Sequence, residues 1–119
     1  MTKILLSDDS AFMRKILTNI LNKEGYKDII ETVDGVEAVE KYKAEKPALV
    51  LLDIIMERKD GMQTLKEIMA YDKKAKVVMV SAVGQEQMVK EAIKSGAQDF
   101  IVKPFDSKKV IDTVKKILK

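Results

Sequence analysis

The chain contains no cysteine and no histidine among its 119 residues. The absence of cysteine excludes disulfides, zinc ribbons and thiol nucleophiles. The absence of histidine removes the most common general base, the Ser-His-Asp triad and histidine-ligated metals. Any chemistry must therefore rely on carboxylates, hydroxyls, lysines or a hard cation.

Long apolar runs and arginines are also scarce. No apolar run approaches the roughly 20 residues needed to span a membrane, so we expect no membrane association. The first residues lead directly into an apolar run, so we expect no targeting segment and a cytoplasmic location. Arg14 and Arg58 are the only arginines, and the net charge is +3. Without an arginine cluster or a platform of aromatic residues, nucleic-acid binding is not expected.

Short apolar runs alternate with longer amphipathic stretches along the chain. The apolar runs cover residues 4–6, 29–30, 48–52, 77–80 and 100–102, and helical periodicity predicts helices over residues 11–23, 35–45, 61–70, 85–94 and from 107 to the end. This alternation favours βαβ units around a parallel sheet, in one domain spanning residues 1–119. The weakly apolar second strand, at 28–32, suits an edge of that sheet.

Polar side chains follow four of the predicted strands. Asp8 and Asp9 follow the first strand, Asp53 the third, Ser81 the fourth and Lys103 the fifth. Each has an ordinary explanation when taken alone, as a helix cap, a turn residue, a loop hydroxyl or a solvated lysine. Because ligands of parallel sheets bind beyond the carboxyl ends of the strands, the coincidence of all these residues predicts one shared pocket.

Such a pocket has a surplus of negative charge. Two carboxylates about 4 Å apart repel each other by roughly 4 kcal/mol at an effective dielectric of about 20. Lys103 offsets part of this repulsion, and a hard cation fits the rest. With oxygen ligands alone, Mg²⁺ is expected, and Mn²⁺ is expected to substitute for it. A carboxylate nucleophile beside a metal and an ammonium group suits phosphoryl transfer.

These residues resemble the receiver domain of two-component response regulators over essentially the whole chain. The matching motifs, in order, are Asp8-Asp9, Asp53, Asp60-Gly61, Ser81-Ala82 and Lys103-Pro104-Phe105. The resemblance implies an α/β, flavodoxin-like (βα)₅ fold, with a five-stranded parallel sheet of order 2-1-3-4-5 and helices on both faces. It also implies a single-domain regulator of a two-component phosphorelay, similar to the stand-alone chemotaxis members of the family.

The resemblance also implies the roles of the residues in the pocket. Asp53 corresponds to the phosphoacceptor, which accepts a phosphoryl group with the help of Mg²⁺. Asp9 corresponds to the direct metal ligand, and Asp8 assists through water. Asp53 and the backbone carbonyl of Ile55 complete the protein ligands. Lys103 corresponds to the lysine that pairs with the phosphoryl group.

Two further residues correspond to the switch that responds to phosphorylation. Ser81 matches the hydroxyl that bonds the phosphoryl group, and Phe100 matches an aromatic residue that turns inward on activation. From the residues alone, Phe100 is typical of a core side chain. The Lys103-Pro104 bond is usually cis in this family, and proline keeps the cost of a cis bond at roughly 0.5–1 kcal/mol.

The expected partners are implied by the same resemblance. The phosphoryl donor is a histidine kinase of the chemotaxis type, and the output partner is a motor switch protein or an adaptor protein. The expected output face is formed by the fourth helix, the fifth strand and the fifth helix, and it carries Lys90, Lys94, Lys108, Lys109, Lys115 and Lys116. These lysines fit an acidic docking partner or an ordinary solvated surface equally well. A monomer is expected.

One loop departs from the family pattern. Members usually have Met-Pro-x-Met-Asp-Gly after the phosphoacceptor, whereas residues 56–61 here read Met-Glu-Arg-Lys-Asp-Gly. The charged version is similar to that of archaeal members, whose target is an adaptor. Two apolar residues, Ile55 and Val83, each lie two positions after a site residue. We hypothesise that they shield Asp53 from water and prolong the phosphorylated state.

Other functions remain open from the sequence. A phosphorelay intermediate has the same sequence signature as a chemotaxis regulator. A flavodoxin-like redox carrier shares the fold, although an acidic first loop, residues 7–10, repels the phosphate that flavodoxins bind there. A phosphatase of the aspartyl-phosphate type needs a second aspartate where Ile55 stands. The chain is therefore not expected to act as an enzyme on external substrates.

Overall fold

Five strands and five helices alternate along the chain. The computed structural model describes residues 2–82 and 84–118. The strands are β1 (Lys3–Ser7), β2 (Asp28–Thr32), β3 (Leu49–Leu52), β4 (Val77–Ser81) and β5 (Asp99–Val102), and the helices are α1 (Ala11–Lys23), α2 (Gly35–Glu45), α3 (Gly61–Tyr71), α4 (Glu86–Lys94) and α5 (Ser107–Leu118). The predicted (βα)₅ pattern is confirmed.

The sheet is entirely parallel and has the strand order β2-β1-β3-β4-β5. This is the order that the resemblance implies, and the weakly apolar β2 lies at an edge as predicted. Ser7 at the end of β1 aligns with Leu52 of β3, and Ser81 of β4 aligns with Val102 of β5. The carboxyl ends of these strands therefore meet along one side of the sheet.

Helices cover both faces of the sheet because alternate strand residues point to opposite sides. Leu5, Val50 and Leu52 pack in one core with residues of α2, α3 and α4. Leu49 and Leu51 pack in a second core with residues of α1 and α5. Continuous apolar strands are typical of a sheet buried on both faces.

Short polar side chains begin the helices. Side-chain oxygens of Ser10, Asp34, Asp60 and Asp106 accept hydrogen bonds from backbone N–H groups three residues ahead, as N-caps do. In the part of the chain that the structure describes, no helix is both long enough and apolar enough to cross a bilayer.

Two helix ends differ by one residue from the prediction. Helix α4 begins at Glu86 and not at 85, because Gln85 has an extended backbone and occupies the N-cap. Helix α3 continues to Tyr71, one residue further than predicted. The ring of Tyr71 meets the ring of Tyr42 edge-on at 6.3 Å, and Asp72 accepts a hydrogen bond from the Tyr42 hydroxyl at 2.9 Å. These tertiary contacts with α2 stabilise the last residue of the helix.

Candidate functional site

Three carboxylates meet where β1 and β3 end. Asp8, Asp9 and Asp53 each offer an oxygen atom, and these atoms lie within 4.8 Å of one another. Asp8 is 3% exposed and Asp53 is 7% exposed, whereas Asp9 is open to solvent. The predicted acidic pocket is therefore present, with two buried carboxylates and one exposed carboxylate.

Lys103 supplies the cation of the pocket. Its Nζ atom lies 2.9 Å from Asp8 Oδ2 and 3.2 Å from Asp53 Oδ2. Burial lowers the pKa of Lys103, but the contacts with Asp8 and Asp53 outweigh it and hold the pKa above its usual value. The backbone N–H of Lys103 also donates to the carbonyl of Ser81, which fixes the start of the loop after β5. The ammonium is therefore charged and held between the two buried carboxylates.

The backbone around Asp53 is tightly packed. The N–H of Ile54 donates to Asp53 Oδ1 at 2.7 Å, and the N–H of Gly61 donates to the carbonyl of Ile54 at 2.7 Å. A Cβ atom on Gly61 would lie 2.0 Å from the backbone oxygen of Asp53. Glycine is therefore required at this position by lack of space. The first residue of α3 sits directly against the backbone of Asp53.

Ser81 and Phe100, for which the resemblance implies a switch role, lie on the adjacent strands β4 and β5. Ser81 is fully buried at the end of β4, and Phe100 is buried in the core between the sheet and α4. Phe100 therefore points inward in this structure, as a core side chain does. The Lys103-Pro104 peptide bond is cis, as the resemblance implies.

The charged loop after β3 is bound to the rest of the domain. Met56 is buried, and its sulfur accepts a hydrogen bond from the Ser7 hydroxyl at 3.2 Å. Arg58 forms an ion pair with Asp34, and Lys59 forms one with Glu67 of α3. Ile55, two residues after Asp53, is 59% exposed. Val83, the second residue of the predicted apolar shield, lies outside the described residues.

Sequence reasoning did not find the contacts of the two arginines. Arg14 of α1 donates through Nη1 to the backbone oxygen of Asp8 at 2.6 Å, and through Nε to Glu31 at 3.0 Å. Arg58 donates through Nε to Asp34 at 2.7 Å. One signal was present in the sequence. Only two of the 22 basic residues are arginines, and both lie within a few positions of an aspartate-containing loop.

The residues of the pocket fit a divalent cation. The donor set consists of carboxylate oxygens, which are the ligands that Mg²⁺ prefers. The repulsion between Asp8 and Asp53 is only partly offset by the single ammonium of Lys103. A site with two buried carboxylates and a third at the solvent boundary matches the way Mg²⁺ is held in proteins, with a few carboxylates and several waters.

The expected output face is partly neutralised within the domain. Four of its six lysines form ion pairs: Lys90 with Glu86, Lys108 with Asp112, Lys115 with Glu24 and Lys116 with Asp99. These pairs lie at the surface, with Asp99 partly buried, and surface ion pairs contribute roughly 0–1 kcal/mol each. Little free energy would therefore be lost if these lysines exchanged their partners within the domain for other ones.

Comparison with known proteins agrees with the geometry. A model of the response regulator receiver domain matches residues 4–115. The chemotaxis protein CheY of Thermotoga maritima is 49% identical over 117 residues, which cover 98% of this chain and 98% of the relative. The chemotaxis protein CheY of Bacillus subtilis is 47% identical over 116 residues, covering 98% of this chain and 97% of the relative.

A solved structure shows the same architecture. The crystal structure of the CheX–CheY–BeF3–Mg²⁺ complex from Borrelia burgdorferi contains a chain that superposes with a TM-score of 0.94 at 45% identity, covering 99% of this chain and 90% of that one. The motif order, the strand order and the pocket thus agree with a family match over most of the sequence. This chain belongs to the response regulator receiver domain family.

Proposed function

We propose that residues 1–119 form one receiver domain, which acts as a single-domain response regulator in a two-component phosphorelay. The observation that carries the proposal is the pocket that joins Asp8, Asp9 and Asp53 to Lys103. Chemotaxis is the proposed process, because relatives with 49% and 47% identity over nearly their whole length are chemotaxis proteins.

Asp53 is the proposed phosphoacceptor. Its carboxylate attacks the phosphorus of a phosphohistidine on a kinase of the chemotaxis type, so that a P–O bond forms as the P–N bond breaks. The histidine nitrogen leaves with the bonding electrons and takes a proton from solvent. The Ile54 N–H holds Asp53 Oδ1 at 2.7 Å and so orients the carboxylate.

Lys103 supports the transfer electrostatically. Its ammonium lies 3.2 Å from Asp53 Oδ2, within reach of a phosphoryl group attached to this carboxylate, and we propose that it pairs with the group after transfer. Asp9 is the proposed direct ligand of Mg²⁺, Asp8 acts through water, and Asp53 and the Ile55 carbonyl complete the protein ligands. Bound Mg²⁺, or Mn²⁺ in its place, neutralises charge on the transferring group.

The proposed output is a change of partner affinity. Ser81 forms a hydrogen bond to the phosphoryl group. Phe100 responds to this bond and couples it to the surface formed by α4, β5 and α5. The partner is a motor switch protein or an adaptor protein that contacts the lysines of this surface. The domain works as a monomer in the cytoplasm. It catalyses only its own phosphorylation and dephosphorylation, and so is not an enzyme in the usual sense.

Intact-mass measurement after incubation with acetyl phosphate tests this function. We expect the gain of one phosphoryl group in the presence of Mg²⁺, and no gain with EDTA. Asp53→Ala should show no gain under either condition, while Asp60→Ala, at a helix cap outside the pocket, should retain it. Absence of any gain with Mg²⁺ would reject the proposed chemistry and leave a binding module that reuses the fold.

A further inference from the structure

We infer that Arg14 is a positioning residue for the metal-binding carboxylates, because it fixes the peptide plane between Asp8 and Asp9. The inference rests on the proposed function and adds a residue outside the pocket to its machinery. Arg14 lies in α1, and its guanidinium donates to the backbone oxygen of Asp8 in the acidic loop.

Asp8 is held from several directions. Its N–H donates to the carbonyl of Thr32 on β2 at 3.1 Å, and its Oδ1 accepts from the N–H of Ser10 at 2.9 Å. Its Oδ2 lies against Lys103. Its backbone oxygen accepts from Arg14 Nη1 at 2.6 Å. Of these contacts, only the one from Arg14 acts directly on the peptide bond between Asp8 and Asp9.

The peptide unit joining Asp8 to Asp9 is planar. The direction of the Asp8 carbonyl therefore sets the orientation of the whole unit, including the N–H and Cα of Asp9. Asp9 is exposed, so packing does little to hold its backbone. The hydrogen bond from Arg14 supplies that constraint and determines where the Asp9 carboxylate enters the pocket.

The guanidinium is itself anchored at its other side. Arg14 Nε donates to Glu31 of the edge strand β2 at 3.0 Å, and the Arg14 side chain is 15% exposed. A planar group with donors in two directions meets both contacts at once, whereas a lysine ammonium is a single point charge on a flexible stem. This requirement explains an arginine at this position in a chain where 20 of the 22 basic residues are lysines.

Charge alone would make Arg14 unfavourable for metal binding. A cation close to the pocket repels Mg²⁺, so its removal should strengthen Mg²⁺ binding if the guanidinium acted only through its charge. A positioning role predicts the opposite sign, since loss of an orienting partner outside the ligand set typically weakens metal binding 10- to 100-fold. The direction in which Mg²⁺ affinity changes when Arg14 is removed therefore distinguishes a positioning role from a purely electrostatic one.

Calorimetric titration with Mg²⁺ tests the inference. We expect Arg14→Ala to bind Mg²⁺ about 10-fold more weakly than the wild type, with Arg14→Lys between the two. Lys15→Ala removes one charge from the same helix turn at an exposed position, and should bind Mg²⁺ as tightly as the wild type or more tightly. Equal or tighter binding by Arg14→Ala would overturn the inference.

The Glu31 contact is tested by a double-mutant cycle. Removal of an acidic charge weakens Mg²⁺ binding by itself, so the informative quantity is the effect of Glu31→Ala in two backgrounds. We expect Glu31→Ala to weaken Mg²⁺ binding by a factor about three times larger in the wild type than in Arg14→Ala. Equal effects in both backgrounds would contradict a role for Glu31 through Arg14.

Two controls keep the outcomes distinct. Urea unfolding in EDTA establishes that each variant is folded without metal. If Arg14→Ala is unfolded, the test uses Arg14→Lys instead. A Mg²⁺ affinity of Arg14→Lys equal to that of the wild type would then contradict the inference. If the wild type itself binds no Mg²⁺, the proposed function fails. If the wild type binds and Arg14→Ala binds equally well, only the role of Arg14 fails.

Discussion

Arg58 Nε lies 2.7 Å from Asp34 Oδ2, and this ion pair joins the loop after β3 to the first turn of α2. The backbone adds a second connection, because the N–H of Gly35 donates to the carbonyl of Lys59 at 3.2 Å. Arg58 has a positive φ of 63°, in the left-handed region that residues other than glycine seldom adopt. The charged loop, which departs from the family pattern, is thus bound to α2 as well as exposed to solvent.

The first prediction concerns Asp34, which serves both the helix and the loop. Its Oδ1 accepts from the N–H of Glu37 at 2.9 Å, as an N-cap, while its Oδ2 binds Arg58. Asp34→Ala removes both contacts and should lower the free energy of unfolding by about 1–2 kcal/mol, most of it from the lost cap. Asp34→Asn keeps a capping oxygen and should lose less. Urea denaturation of both variants checks the order.

The effect of Asp34 should depend on pH. The hydrogen bond from Arg58 and those from backbone N–H groups outweigh burial and hold the pKa of Asp34 below its ordinary value. Such a carboxylate contributes stability above the pKa of the unfolded chain, about 3.9, and loses it as the pH falls through the lower folded pKa. The stability difference between wild type and Asp34→Asn should therefore be full at pH 7 and shrink below about pH 4. A difference that grows in acid would contradict this.

The second prediction concerns Gly61. An added Cβ would lie 2.0 Å from the Asp53 backbone oxygen, so Gly61→Ala must displace the backbone beside Asp53. We expect a loss of about 1–3 kcal/mol in the free energy of unfolding, as in overpacked cores, together with weaker Mg²⁺ binding. Calorimetry and urea denaturation measure the two effects.

Gly25 is the matched control for Gly61. It has a positive φ of 92° and open space around it, so Gly25→Ala meets torsional strain and no steric contact. We expect a cost of about 1–2 kcal/mol with unchanged Mg²⁺ affinity. Loss of metal binding in both variants would show that general destabilisation, and not the contact with Asp53, is responsible.

The third prediction separates metal binding from phosphoryl transfer. Lys103→Met removes the ammonium from between Asp8 and Asp53 and keeps much of the apolar stem. Charges about 4 Å apart interact by about 1 kcal/mol even at the dielectric of water, so Mg²⁺ should bind about fivefold more tightly or better. Phosphorylation by acetyl phosphate should nevertheless fall if Lys103 pairs with the phosphoryl group as proposed.

Lys73→Met is the control for Lys103. Lys73 is exposed and precedes β4, so it lies at the amino-terminal ends of the strands, whereas the pocket lies at their carboxyl ends. Its replacement should leave both Mg²⁺ affinity and phosphorylation unchanged. Weaker Mg²⁺ binding in Lys103→Met than in Lys73→Met would show that Lys103 organises the carboxylates more than it opposes the metal.

The fourth prediction concerns the lifetime of the phosphorylated state. The Ile55 side chain is exposed, two residues after Asp53 in the loop that follows β3. An apolar group there limits the approach of water to Asp53, whereas an amide would bind and orient water. Ile55→Asn should therefore accelerate loss of the phosphoryl group severalfold, measured by mass after removal of acetyl phosphate. Ile55→Val is the conservative control, and an unchanged rate in Ile55→Asn would reject the shielding hypothesis.

The fold was predictable because each element has a strong local signal. Apolar strands without alternation, helices with one apolar stripe and short polar caps all specify the same architecture. Residues at strand ends could be assigned to one pocket because a parallel sheet brings such positions together. The tyrosine contact that extends α3 to Tyr71 joins two helices, and so leaves no signal in either helix sequence alone.

The arginine contacts were not predictable for a related reason. Arg14 Nη1 donates to a backbone oxygen, which every residue has, so no residue type marks that partner. Its second partner, Glu31, is one of 19 acidic residues, and nothing in the sequence distinguishes it from the others. Arg58 contacts Asp34 from a backbone with a positive φ, which its residue type does not predict. Contacts that depend on backbone direction must be seen in three dimensions, whereas contacts between strand ends are determined by topology.

The pocket draws on segments that are far apart in the chain, and this has a consequence for how the domain assembles. Lys103 lies 95 positions after Asp8 and 50 positions after Asp53. A chain that lacks β5 also lacks the ammonium that contacts both buried carboxylates, and their mutual repulsion then opposes the pairing of β1 with β3. Addition of β5 offsets part of that repulsion, so this strand contributes charge balance to the pocket as well as an edge to the sheet.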